Sequence, residues 1–122
     1  MFGKKKNEPV ENWADSKMHE LYNEWSEALN VLWRKAKQTY IKAEAIKVYD
    51  LARPDGEAAK TDLDEAKYSL LCSIGRYDSA VAEIKRHYAE HHEEMNINWS
   101  MDFFTSHEQI ELAIREIFKG RY

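Results

Sequence analysis

The chain has one cysteine, two prolines and four glycines in 122 residues. With Cys72 alone, no intramolecular disulfide can form, and a reducing compartment, the cytoplasm, is the expected setting. So few glycines and prolines cannot punctuate the many turns of a β-sandwich, a barrel or a doubly wound sheet. Long apolar runs are missing too: no window approaches the roughly 18 apolar residues of a membrane span. The start, Met1 to Pro9, places no apolar stretch behind Lys4, Lys5 and Lys6, so it does not read as a secretory signal, and three lysines are marginal for holding a chain at an anionic membrane surface. Excess positive charge is also lacking. Eighteen basic residues against 22 acidic ones give a net charge of −4, which argues against a generic nucleic-acid binder. There is no Gly-x-Ser-x-Gly elbow, no Cys-x-x-Cys and no phosphate loop. We assign no catalytic residue and no cofactor, and expect no enzyme.

What is present is helical periodicity. Residues 1 to 11 are polar and aperiodic and read as a flexible basic tail, followed by a single helical domain over 12–122. From Asn12 to Ala52 neither Gly nor Pro intervenes, and Asn12 with Asp15 has capping-box spacing. Met18, Leu21, Tyr22, Trp25, Ala28, Leu29, Leu32, Trp33, Ala36, Tyr40 and Ala43 advance by threes and fours, which keeps them on one broad face. After Glu44 the phase is lost, and a kink or all-round burial is expected. Arg53-Pro54-Asp55-Gly56 reads as the loop that reverses the chain. Thr61 with Asp64 marks a second helix start, followed by Leu63, Leu70, Ile74, Tyr77, Val81, Ile84, Tyr88, His91 and Met95. On the opposite side Cys72, Gly75, Ser79 and Ala82 form a stripe of small residues that a second helix could approach closely. Residues 96–104 hold Trp99, Met101, Phe103 and Phe104 without helical spacing. Thr105 with Glu108 caps a last helix that Gly120 ends. The expected fold is all-α: an elongated antiparallel hairpin of two long helices with a short third C-terminal helix, close to a three-helix bundle.

A second reading cuts the second helix at Gly75. Ile74-Gly75-Arg76-Tyr77-Asp78-Ser79-Ala80-Val81 resembles the inter-helix turn of a tetratricopeptide repeat, with Gly75, Tyr77 and Ala80 where that family keeps Gly, an aromatic and Ala. Ala45-Ile46 lies 35 residues before Ala80-Val81, close to the family's period. Lys67, Tyr68 and His87 depart from the pattern, and about 30 residues are covered. The resemblance implies a helical turn at Gly75 and a peptide-binding role.

Three patterns bear on function. His87, His91 and Glu94 fall on one helical face, near Glu83 and Glu90, and could ligate a zinc-like ion; without a His-Glu-x-x-His motif, a polar helix end is the simpler reading, and we assign no metal site. Arg34, Lys35, Lys37, Lys42 and Lys47 stand against Glu44 alone in residues 34–47, with Trp33 and Tyr40 interleaved for stacking on bases. Acids early and bases late in one helix also complement its dipole, and an antiparallel partner beginning Asp62, Asp64, Glu65 would neutralise the basic end. Four Trp, seven Tyr and four Phe exceed what a slender hairpin hides. Trp99, Phe103, Phe104, Trp33 and Tyr40 are therefore the candidate partner-binding residues. The irregular segment that holds three of them could equally plug the open end of the hairpin. The resulting expectation is a small non-catalytic protein–protein interaction module: an adaptor, inhibitor or assembly subunit. A phage or mobile-element protein or an immunity protein is compatible with it, and a homodimer is one compatible state. Nucleic-acid association through 34–47 and metal binding through His87 and His91 are the alternatives.

Overall fold

The structure, a computed structural model, describes residues 12–119. Helix α1 spans Trp13–Ala45, α2 spans Pro54–His91 and α3 spans His107–Lys119, with short 3-10 turns at Ile46–Val48 and His92–Glu94. No strand occurs among the described residues. The flexible tail expected at 1–11 and the helix stop expected at Gly120 lie outside them.

α1 begins where its cap predicts. Asn12 is extended, and its Oδ1 accepts the Asp15 N–H at 3.0 Å, satisfying one of the donors a helix start leaves open. The inward stripe buries Ala14, Met18, Ala28, Leu32 and Ala36. The loss of phase after Glu44 is neither a kink nor all-round burial. It is the end of the helix: α1 stops at Ala45, and Val48, Tyr49 and Leu51 are exposed.

The turn itself lies before the proline. Asp50 organises it, its backbone carbonyl accepting the Arg53 N–H at 3.0 Å and its side chain the Ala52 N–H at 3.0 Å. Pro54 is the first residue of α2, where its missing N–H costs nothing and its fixed φ suits the helix. Arg53-Pro54-Asp55-Gly56 is thus a helix start rather than a loop, and Thr61-Asp64 lies inside the helix. Gly56 is buried because the turn backbone crosses it: a Cβ there would stand 2.1 Å from the Asp50 carbonyl oxygen.

α2 is continuous through Gly75 for 38 residues, so the inter-helix turn that the repeat resemblance implies does not form. Gly75 has an ordinary helical conformation, and nothing lies within 4 Å of where its Cβ would be. α1 and α2 pair antiparallel along their length. His87 meets Ala14 at the open end, Arg76 meets Glu24 and Glu27 in the middle, and Lys42 meets Asp62 near the turn.

Residues 95–119 form the third layer, running back from the open end toward the turn. Residues 95–106 cross the start of α1. α3 then follows α1's direction, from His107 beside Asp78 to Phe118 beside Tyr40. It seats Ile110 and Ile114 on Ala28, Leu32, Ala36, Leu70, Tyr77 and Ala80. Tyr77, 1% exposed, donates its hydroxyl to the Thr105 carbonyl at 2.6 Å, which fixes where α3 begins. Two long helices and a short C-terminal one form an all-α bundle, as the periodicity predicts.

Candidate interaction site

The start of α1 builds the most polar part of the interior. Asp15 is fully buried with no cation partner among the described residues, and its carboxylate gathers N–H donors instead. Oδ2 accepts the Asn96 N–H at 2.8 Å, and Oδ1 accepts the Trp99 indole N–H at 2.8 Å and the Ile97 N–H at 3.3 Å. Burial opposes the charge, yet these donors and the Asn12 N–H outweigh it and hold the carboxyl below its ordinary value. Asn12 Nδ2 donates to the Glu94 carbonyl and Tyr22 Oη to the Ser100 carbonyl, so the whole segment after α2 is laced to α1. Burial raises the Tyr22 hydroxyl's pKa.

This lacing decides where three of the expected contact residues sit. Trp99 is half-buried, edge-on to His19 at 4.8 Å and tilted against Tyr22 at 4.9 Å. Phe104 is edge-on to Tyr22 at 5.5 Å and to Trp25 at 5.0 Å. Both pack against the first half of α1. Phe103, 56% exposed, projects from the same segment. Tyr40 tilts against Phe118 of α3 at 5.7 Å, while Trp33 is 39% exposed on the flank of α1. The five residues therefore do not converge on one surface: three belong to the segment over the start of α1, and Trp33 and Tyr40 lie farther along α1.

His87 and His91 are engaged in other contacts in this fold. His87 is buried and donates Nε2–H to the Ala14 carbonyl at 2.9 Å, which ties α2 to the first turn of α1. His91 Nδ1 lies 3.2 Å from Glu94, and Trp13 packs edge-on against both imidazoles. Among the described residues no group of three His, Cys, Asp or Glu side chains is placed to hold a metal ion. In the basic stretch Lys42 pairs with Asp62 at 2.8 Å, Lys47 pairs with Glu44 at 3.1 Å, and Lys37 lies 5.8 Å from the Phe118 ring centre. Of the three acids expected to face the basic end, Asp62 meets it.

A concave feature of this bundle lies nearer the turn, where α3 leaves α1 and α2 partly uncovered. A cleft of about 640 Å³ is floored by Ala36, Tyr40, Ala43, Leu70, Ile74 and Ile114, with Leu71 at its edge on α2. Lys67, Glu44, Glu111 and Arg115 supply charges of both signs around it. Only Tyr40 of this set was a sequence candidate, because the others sit in the same apolar stripes as the core. No periodicity tells which part of a stripe a short third helix will cover.

The outer face of α2 was likewise half visible. Cys72, Gly75, Ser79 and Ala82 are all exposed, and among the described residues no helix approaches the stripe, contrary to the expectation that one could pack there. Tyr68, 70% exposed, and Leu71, 64% exposed, extend that face toward the helix start. Comparison with protein-family models, with curated proteins and with solved structures found no match to this chain.

Proposed function

We propose that this chain is a non-catalytic protein–protein interaction module, an adaptor, inhibitor or assembly subunit, that grips another protein in the three-helix cleft. The observation that supports this reading is the cleft itself: an apolar floor from all three helices, ringed by charges of both signs. Such a surface suits the apolar face of an amphipathic helix or a single large apolar anchor, with the charges setting orientation. Phe103 and Trp33, exposed on other faces, are secondary contacts in this reading.

The test is affinity capture from the native host with wild-type chain and Ala43→Arg, which fills the cleft from α1 without touching the buried core. Circular dichroism first establishes that both fold alike. The expected result is one specific protein retained by wild type and at least tenfold less by the variant. Equal retention by both would remove the cleft as the site. A salt-dependent shift of DNA or RNA, lost in Arg34→Glu with Lys35→Glu, would replace this reading with nucleic-acid association.

A further inference from the structure

The cleft between the three helices holds a charge imbalance that the single chain leaves unanswered. Lys67 of α2 and Arg115 of α3 both line it, on facing walls. The Thr39 hydroxyl reaches the Ala66 carbonyl at 3.3 Å, which sets Lys67 level with Thr39. Phe118 packs against Tyr40, which sets Arg115 within about one turn of that level. Neither cation takes part in an ion pair among the described residues. Lys67 is far from either end of α2, so no helix dipole accounts for it. Two like charges over an apolar floor repel each other and do nothing to hold the bundle together; an anion seated between them is attracted to both.

The other charges around the cleft are answered within the chain or by one another. Toward the turn, Glu44 is held by Lys47 at 3.1 Å. Away from the turn, Asp78 is bonded to His107 at 3.1 Å, and the other nitrogen of that ring lies 3.6 Å from Glu108. Lys60 and Asp64, on the turns of α2 that precede Lys67, are one charge of each sign. What remains is Glu111 at the end of the cleft toward the start of α3, then Arg115 and Lys67, with Lys119 one turn beyond Arg115. The rim is therefore acidic at one end and basic over the rest. Its floor on α1 runs from Ala36 to Ala43, about two helical turns or 10 Å. That length matches the apolar anchors at i, i+4 and i+7 of a helix laid along it.

We propose that the segment this cleft receives is an acidic amphipathic helix, whose apolar face lies on the floor and whose carboxylate, one turn from an anchor, is held between Lys67 and Arg115. A base at the helix's other end meets Glu111. The inference rests on the cleft being the docking site, as argued above, and adds what the partner must carry. Hydrogen bonds from two cations to one carboxylate, beside an apolar contact that excludes water, fix the direction of the bound helix. They also reject a basic helix that the same apolar floor would otherwise accept.

A phage-displayed library of random peptides, each about 16 residues long, tests this without a known partner. It is panned in parallel on the unmodified chain, on Lys67→Glu with Arg115→Glu, on Lys67→Gln with Arg115→Gln, and on Ala43→Arg, all matched in helix content by circular dichroism. The unmodified chain is expected to retain peptides with large apolar residues at helical spacing and Asp or Glu within one turn of them. The first double variant should retain peptides with Lys or Arg there instead, the second should show neither preference, and Ala43→Arg should retain neither set. A synthetic peptide from the acidic set should bind the unmodified chain about tenfold more tightly than the second double variant, with the difference shrinking as salt rises. Peptides that depend on the cleft but show no acid preference, or the same sequences on all three charge forms, would overturn the proposal and leave the cleft as a docking site. A library that yields no binder, or binders retained equally by Ala43→Arg, would remove the cleft and the proposal together.

Discussion

Asp15 shows how one side chain can hold two distant segments together through N–H donors. Leaving a carboxylate buried is costly, and the structure offsets that cost with N–H donors from residues 96, 97 and 99. Asp15→Asn keeps the shape but turns an amide N–H₂ toward groups that can only donate. The expected loss is about 1–3 kcal/mol in chemical denaturation. The pH dependence has a definite sign. Because the folded carboxyl titrates below its unfolded value, its contribution is complete at neutral pH and is lost as pH falls through about 3.9 toward the lower folded value. Asp15→Asn should therefore show a shallower loss of stability below about pH 5 than the unmodified chain. A parallel pH profile in both would show that Asp15 carries no such share. The two neighbouring phenylalanines divide similarly by environment: Phe104 packs against Tyr22 and Trp25, while Phe103 is mostly in solvent.

At the level of elements, the two glycines of α2 have opposite reasons to be there. Gly56 sits under the backbone of the inter-helix turn, where any Cβ collides with the Asp50 carbonyl and the chain at Leu51. Neither is a flexible side-chain end, so the turn must move. Gly56→Ala is expected to cost about 1–3 kcal/mol, as overpacking does. Gly75→Ala meets open space and replaces the poorer helix former, so in dilute solution it should stabilise the chain by up to about 1 kcal/mol. Thermal melts of the two variants at the same low concentration read both signs; a stabilising Gly56→Ala would mean that the turn does not lie against the first turn of α2. The same contrast explains the misreading of residues 53–56: a proline followed by Asp-Gly marks a turn in many settings, but it also suits a first helical turn pressed against a crossing backbone.

On the scale of the whole molecule, the hairpin and the third layer differ in how firmly they are held. α1 and α2 share Met18, Leu32, Tyr77 and Ile84, each almost completely buried, along most of their length. α3 is 13 residues long, close to the length at which an isolated helix is marginal, and its fully inserted anchors are Ile110 and Ile114. Native-state amide exchange should therefore rank the centres of α1 and α2 as most protected and α3 as exchanging earlier, in a unit that opens without the hairpin. Uniform protection across all three helices would show one cooperative unit instead. The cleft lies where α3 meets the hairpin, so a partner seated there would also slow exchange in α3.

The all-α class, the two long helices and the short third one were legible in the sequence because hydrophobic spacing is a local property of each segment. Asn12 announced the start of α1, and the stripes named Leu32, Tyr77 and Ile84 as core. Chain reversal was placed a few residues late, because Pro54 and Gly56 carry the same local signal in a loop as in a helix start. The long-range partners were not legible at all. Nothing in the spacing of Asp15 tells that residues 96 to 99 return to it across more than 80 positions, or that His87 serves the Ala14 carbonyl. Local patterns record what each segment prefers. Which stripe is covered, which carboxylate is caged and which face is left open depend on how far a third layer reaches over the other two, and only tertiary packing decides that.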